Sequence, residues 1–431
     1  GTYSRYHRPD LSTENLYRDM PADIDTMTIA SLSWREMFTD PKLQSLIETG
    51  LERNADLNVA RLRVEAAEAV LMTARLSYLP SLGLTAEGNA NKHDGATAKT
   101  YNVGASASWE LDIFGKLTAA KRGALQGSRD YRQAVQTQLV ATIADSYYTL
   151  AMLDAQMTIS NRTLENWRTT VRTLEALKKV GKSNEAGVLQ AKANVMRLEA
   201  SLLSIRKSIS ETENALSAIL AMPSHSIGRS DLAEAAFPDT VSIGVPLQLL
   251  SNRPDVRQAE MELAQAFYAT NAARAAFYPN ITLSGILGWT NNGGGVIVNP
   301  GQWLLNAIGS LTQPLFNRGV NIANLKIAKS RQEEAKLLFR QSLLNAGKEV
   351  NDALTAWQTA KSQIEINARQ VETLCDAVRK TESLMRHSNT TYLEVLTAKQ
   401  SLLEAEVQQL QTRFERIQSI IKLYHALGGG M

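Results

Sequence analysis

The chain has 431 residues, 44% of them hydrophobic and 21% charged, with a formal net charge of +3. Charge this balanced, with no run of like charges, leaves no electrostatic footprint for nucleic acid. Apolar runs such as residues 218–222 fall far short of the ~18 residues a membrane-spanning helix needs, whereas barrel strands of only ~9–11 alternating residues remain open.

Residues 1–40 read as an extended segment. From 41 to 78 the pattern predicts a helix, which Pro80 must end, because proline lacks a backbone donor and pushes the residue before it out of helical conformation. Leu82, Leu84 and Ala86 begin a strand, and residues 89–99 supply a polar loop. In the partner strand Tyr101, Val103, Ala105, Ala107, Trp109, Leu111 and Ile113 alternate strictly with Asn102, Ser106, Ser108, Glu110 and Asp112. Residues 117–180 contain no proline. Leu150, Leu153, Met157, Ser160, Leu164, Trp167, Val171 and Leu174 step through them at heptad spacing, which predicts a helix of ~95 Å with a narrow packing seam. A turn at Val180, Gly181, Lys182, Ser183 and Asn184 leads into a helix over 188–221, and a Pro/Gly-bearing linker occupies 223–244.

The order then repeats. Val188-Leu189-Gln190-Ala191-Lys192 returns as Val395-Leu396-Thr397-Ala398-Lys399, Leu79-Pro80-Ser81-Leu82 as Tyr278-Pro279-Asn280-Ile281, and Ile113-Phe114 as Leu315-Phe316, each roughly 200 residues on. Two copies of one unit are expected, at about 41–222 and about 245–427. In the second copy, Arg253-Pro254-Asp255 starts a helix over 252–277, with proline tolerated in the first turn and the acid offsetting the dipole. Ile281, Leu283, Gly285, Leu287 and Trp289 alternate as a strand that ends, like its counterpart, near an aromatic. A glycine-rich loop follows at 291–295, and Trp303, Leu305, Ala307 and Leu311 lie on one face of the return strand. A second long helix over 321–387 has its seam at Val350, Leu354, Trp357, Lys361, Ile364, Ala368, Val371, Cys375, Val378, Glu382 and Met385. A turn at Arg386, His387, Ser388, Asn389 and Thr390 leads to a last helix over 391–427. Cys375, the single cysteine, fills a seam position and permits neither an intrachain disulfide nor a cysteine-built zinc site. Four alternating strands per chain suit a barrel with lipid outside and water inside, yet four cannot close one. Two copies give eight strands and three give twelve, and only the larger leaves room for a channel. Two ordinary hairpins packed on helices are the alternative.

The segment Leu249-Leu250-Ser251-Asn252-Arg253-Pro254-Asp255-Val256-Arg257-Gln258-Ala259-Glu260, with Ala273-Arg274-Ala275-Ala276-Phe277-Tyr278-Pro279-Asn280-Ile281, resembles the TolC family of outer-membrane efflux channels. The closer likeness is to the lipoprotein branch serving resistance–nodulation–division pumps. Trp34, Phe38, Asp40, Pro41 and Leu43 are similar to that family's entry to its first helix. Glu110-Leu111-Asp112-Ile113-Phe114-Gly115-Lys116 and Pro314-Leu315-Phe316-Asn317 are similar to its strand-to-long-helix junctions. The resemblance implies a mainly helical homotrimer with a membrane β-barrel part. Its twelve-stranded barrel in the outer membrane of a Gram-negative bacterium would continue into a twelve-helix periplasmic tunnel, with a belt built from the termini and the linker. It also implies a passive, non-enzymatic conduit without a cofactor, through which drugs or small toxic solutes pass from an inner-membrane transporter by way of a periplasmic adaptor.

By the same resemblance, the turns at 180–184 and 386–390 dock the adaptor, and Leu393, Glu394 and Thr397 form the gate. Thr397 stands where an aspartate is common, and Gly187 and Gln190 occupy the repeat-equivalent positions of Glu394 and Thr397. Pro80, Phe114, Gly115, Arg253, Pro254, Asp255, Pro279 and Phe316 are structural junctions. Tyr6-His7-Arg8-Pro9 resembles a segment that follows an acylated cysteine, which implies a lipid anchor on a cysteine immediately upstream of Gly1. Type I protein secretion and a soluble helical scaffold are the competing readings, and the 252–259 segment argues for efflux. Gly181-Lys182-Ser183 is not read as a phosphate loop, because Ala176 stands where its first glycine is required. The five histidines have no metal-ligand spacing, and no catalytic set is proposed.

Overall fold

The computed structural model describes residues 5–9, 29–111, 116–237, 253–290, 302–312, 315–387 and 391–431, with the side chains of 30, 116–123, 280, 289–290, 302–308 and 311 outside the description. In chain order these form α1 (Trp34–Met37), α2 (Pro41–Arg53), α3 (Ala55–Leu76), β1 (Ser81–His93), β2 (Ala96–Glu110), α4 (Lys116–Lys179), α5 (Glu185–Ile219), α6 (Pro254–Ala275), β3 (Asn280–Thr290), β4 (Gln302–Thr312), α7 (Val320–Arg386) and α8 (Tyr392–Ala426). The two long helices run for 64 and 67 residues, as their proline-free seams require. No described helix is long and apolar enough to cross a membrane.

Three segments differ from the sequence expectation. Within residues 1–40, read as extended, Ile29–Ser31 form a helical turn and Trp34–Met37 form α1, which Ser33 caps by accepting from the Glu36 amide. Residues 41–78 form two helices, because Asn54 ends α2 and opens α3. Its side chain accepts from the Leu57 amide at 3.0 Å and donates to the Ile219 carbonyl at 2.9 Å. An asparagine side chain of this kind competes with the helix ladder and wins when a partner is in reach. Residues 89–99 are not a loop. β1 continues to His93 and β2 begins at Ala96, joined by Asp94 and Gly95 with φ of 45° and 81°. That left-handed pair is the type I′ hairpin turn for which Asp-Gly is suited. The stretch is polar on both faces, so period two gave no sign of a strand there.

Contacts divide the chain into two compact units, residues 1–11, 61–131 and 257–342 in one and 12–60, 132–256 and 343–431 in the other. The first unit holds a four-stranded antiparallel sheet in the order β1-β2-β3-β4. Its helical core is a cluster of Val64, Leu71 and Leu125. Arg8 grips Glu260 of α6 through two hydrogen bonds of 2.7 Å, and the Tyr6 ring meets Phe267 edge-on at 5.9 Å.

In the second unit, Leu153, Leu164 and Trp167 of α4 pack on Leu198, Leu202 and Ile205 of α5. The α4 seam is buried at Leu150, Leu153, Ser160, Leu164, Trp167 and Leu174. The α7 seam is buried at Val350, Leu354 and Trp357, then only half-buried at Ile364, Val371, Cys375, Val378, Glu382 and Met385, with Ala368 and Lys361 exposed. Within one protomer that stretch of α7 lacks the full cover a seam requires. The described part of the linker is strapped down. Arg229 forks onto Asp154 at 2.6 and 2.7 Å and reaches Glu213 at 3.0 Å, and the Ser230 amide donates to the Tyr147 hydroxyl, which in turn donates to Asp40 at 2.6 Å.

Candidate functional site

The strand register gathers most of the apolar residues of β1, β2 and β3 onto one face, and β4 pairs on in the same register. Leu84 pairs with Ala105, Ala105 with Leu287 and Leu287 with Leu305, while Leu82 pairs with Ala107, and Trp109 with Leu283. The opposite face carries Ser81, Thr85, Glu87, Asn102, Ser106, Ser108, Glu110, Thr282 and Ser284, with Ile286 apolar among them, and the register pairs Ile308 and Leu304 of β4 with Ser284 and Gly288 of that face. Leu84 is 92% exposed and Leu82 is 81% exposed, so none of the described residues covers the apolar face there. Along β2, Tyr101 and Trp109 bracket the stripe. At ~3.3 Å per residue and a tilt of ~40°, their separation spans ~20 Å of bilayer, close to the apolar band of an outer-membrane barrel. Gly104 and Gly288 face each other on the polar side, where a Cβ on Gly104 would sit 2.7 Å from the Leu287 carbonyl oxygen and 3.0 Å from the Gly288 Cα. Only glycine fits so close an approach of two strands.

The α4–α5 turn is built by its own residues. Gly181 takes φ of 75°, its amide reaches the Lys178 carbonyl at 3.1 Å, and Lys182 reaches Leu177 at 2.9 Å. These bonds satisfy the last carbonyls of α4, as an αL glycine after a helix does. Asn184 caps α5 by accepting from the Gly187 amide at 2.9 Å, and Lys178 pairs with Glu185 across the turn. Val180 is 68% exposed, and Gly181, Lys182 and Asn184 are exposed with it, while Ser183 is half-buried. In the second turn Arg386 and His387 are exposed, and Ser388, Asn389 and Thr390 lie outside the described residues, as do Phe114 and Gly115.

Leu393, Glu394 and Thr397 share the exposed face of the first turns of α8, whereas Val395, Leu396 and Lys399 are buried behind them. Leu396 joins Leu174, Val188 and Ala191 in one cluster. Lys399 ties the helix down. Its ammonium donates to the Thr170 hydroxyl at 2.7 Å and to Asn166 at 3.2 Å and pairs with Glu382 at 3.0 Å. The spacing of the repeat places an equivalent pair in the first copy, Lys192 with Glu175 at 2.9 Å, but both of those side chains are 43% exposed. Neither pair is signalled by residue spacing, although both lysines end the repeated Val-Leu-x-Ala-Lys segments.

Pro80 and Pro279 stand directly before β1 and β3, and Pro254 is the first residue of α6. Phe316 is 86% exposed shortly before α7. Arg253 is buried and holds three partners: the Ala426 carbonyl at 2.8 Å, Asp255 through two hydrogen bonds of 3.0 and 2.8 Å, and Glu349 at 2.8 Å. Burial alone would raise the Asp255 carboxyl, yet the Arg253 fork holds it below the usual range. The other charged residues of the same motif also clamp. Arg257 meets the fully buried Asp130 at 3.2 Å, and Glu260 takes Arg8.

Against known proteins, the sequence matches the family described as outer membrane efflux protein over residues 46–222 and 245–429. The chain belongs to the outer membrane efflux protein family. This efflux protein is 31% identical to the cation efflux system protein CusC of Escherichia coli K12 over 92% of its own length and 88% of the relative's. It is 32% identical to the probable outer membrane lipoprotein SilC of Salmonella typhimurium over the same shares. Its fold superposes on the open-state outer membrane channel MtrE of Neisseria gonorrhoeae with a TM-score of 0.89 and 29% identity, covering 99% of this chain and 98% of that one. The efflux protein is thus an outer-membrane transport channel of TolC-like fold.

Proposed function

We propose that three copies of this efflux protein close a twelve-stranded barrel and form the exit duct of a tripartite pump. The observation that carries this reading is the sheet. One largely apolar face runs in register across β1, β2 and β3, β4 pairs on after them, and among the described residues β1 and β4 each lack a second strand partner, a state that strands leave by pairing with another chain. Twelve strands leave a water-filled lumen, whereas eight would fill it with side chains. The outer end of the duct lies at the Asp94-Gly95 turn, and the helices lie on the periplasmic side. Solute reaches them from an inner-membrane transporter of the resistance–nodulation–division class through a periplasmic adaptor. Relatives named for cation, toluene and pyoverdine export share the family, which supports a duct whose cargo is chosen upstream.

The exposed turns at Val180–Asn184 and 386–390 are the adaptor contacts of this proposal, and Leu393, Glu394 and Thr397 are its gate. In a trimer the gate residues become rings, the leucine ring narrowing the bore and the carboxylate ring favouring cations. An acylated cysteine just upstream of Gly1 belongs to the same reading and rests on the resemblance of Tyr6-His7-Arg8-Pro9 alone.

Planar bilayer recording tests the whole. The wild type should insert as a channel of low conductance, and Leu393→Ala with Glu394→Ala should raise that conductance severalfold. Absence of any channel refutes the duct, and an unchanged conductance refutes this gate.

A further inference from the structure

The charges of the described strand residues are sorted by face. Glu87 and Glu110 lie on the polar face. Lys92 and Lys99 lie on the other side, the one that carries the apolar stripe farther down the strands, both near the Asp94-Gly95 turn. The register sets this arrangement: Lys99 pairs with Ala90, and Lys92 is two residues beyond Ala90 on the same side of β1. The two lysines are therefore diagonal neighbours across β1 and β2, with Cα atoms ~7–8 Å apart. Both are exposed.

Their level along the strand is as informative as their face. Going outward on β2, the apolar side carries Trp109, Ala107, Ala105, Val103 and Tyr101, and the next position is Lys99. The Tyr101 ring reaches across to the Gly88 position of β1, where an added Cβ would lie 3.7 Å from it. An aromatic residue of this kind marks the headgroup level of a membrane barrel. On the barrel reading the positions of Lys99 and Lys92 thus stand just beyond the hydrocarbon edge, on the side of the sheet that would face lipid. At the hydrocarbon midplane each would cost ~2–4 kcal/mol, whereas at the headgroup level the cost falls toward zero and attraction to anionic groups takes over.

We propose that Lys92 and Lys99 form a binding site for a phosphorylated lipid headgroup on the outward face of the barrel, one site per protomer at its outer rim. The occupant is a lipid phosphate, because the site adjoins the apolar stripe on which the acyl chains of the same molecule can lie. Two lysines ~7–8 Å apart on one face suit a single phosphate between them. The inference rests on the barrel reading above.

Native mass spectrometry of the intact channel in detergent tests it. The channel is incubated with bisphosphorylated lipid A, with dephosphorylated lipid A, or with inorganic phosphate. The wild type should retain the phosphorylated lipid, hold the dephosphorylated lipid far more weakly and retain no free phosphate. Lys92→Gln with Lys99→Gln should lower retention of the phosphorylated lipid roughly 25-fold, and Lys92→Arg with Lys99→Arg should keep it. Equal retention of the two lipids by the wild type overturns the proposal, even if the glutamine variant fails to assemble. Retention of inorganic phosphate alone overturns the lipid as occupant. Loss of bilayer conductance and of the assembled oligomer in the wild type would instead bring down the barrel reading, so the two failures are distinguishable.

Discussion

The two copies of the repeat close their helices in the same way with different side chains. In the first, Asn54 at the start of α3 donates to the carbonyl of Ile219, the last residue of α5. In the second, Arg253 before α6 donates to the carbonyl of Ala426, the last residue of α8. The endings beyond those carbonyls match as well. The Met222 amide returns to Ser217 and the Gly429 amide to Tyr424, each at 2.9 Å, with Ala221 and Gly428 in the left-handed region. A short amide meets only the carbonyl and its own helix start. A guanidinium reaches further and recruits Asp255 and Glu349. The same contrast recurs near the helix turns, where Lys192–Glu175 is a solvated pair and Lys399–Glu382 is part of a buried latch. The repeat supplies the position of a contact, and the surroundings decide how much depends on it.

The largest expected effect breaks this symmetry at Arg253. Arg253→Ala leaves a helix-end carbonyl and two carboxylates without their cation and should cost about 3 kcal/mol, while Asn54→Ala should cost about 1–2 kcal/mol, both read from denaturant titration of helical ellipticity. Equal losses would mean that the extra partners of Arg253 contribute nothing. Next is the latch. Lys399→Ala removes a buried ammonium and should lower stability by about 2–3 kcal/mol while raising resting conductance, whereas Lys192→Ala should change neither. A leak as large in the Lys192 variant would put the two hairpins on the same footing. The smallest effect is a pH dependence confined to the second copy. Burial, and after it the charge of Arg253, pushes the His425 imidazole below its ordinary value, against the opposing pull of Glu349 and Asp255, with Lys422 on the same helix. The folded protein then binds fewer protons than the unfolded chain near pH 6, so His425 withdraws stability as pH falls through the range where the unfolded imidazole titrates. His425→Gln should narrow the difference in melting temperature between about pH 8 and about pH 5.5. An undiminished difference would assign the acid sensitivity to other groups.

Much of this could be read along the chain because its signals are local. Period two placed β2 and β3, heptad spacing and absence of proline placed both long helices, and recurrence of Val-Leu-x-Ala-Lys exposed the repeat. Those cues depend on neighbours a few residues apart. The break at Asn54 was hidden because its cause, the Ile219 carbonyl, lies far along the chain. The hairpin through Asp94 was hidden because neither face of its outer strands is apolar. The candidate gate face came from resemblance alone. What the fold adds is the burial of Val395, Leu396 and Lys399, which leaves Leu393, Glu394 and Thr397 on the exposed side of α8.

Element types, the repeat and the two-faced strands were written into residue order, because backbone geometry converts spacing directly into a face. Which faces meet was decided only in three dimensions. Arg253 became a clamp, Lys399 a latch, and Lys92 a neighbour of Lys99, because hydrogen-bond and charge partners are chosen by distance in space, and sequence separation carries no information about that distance until the chain has packed.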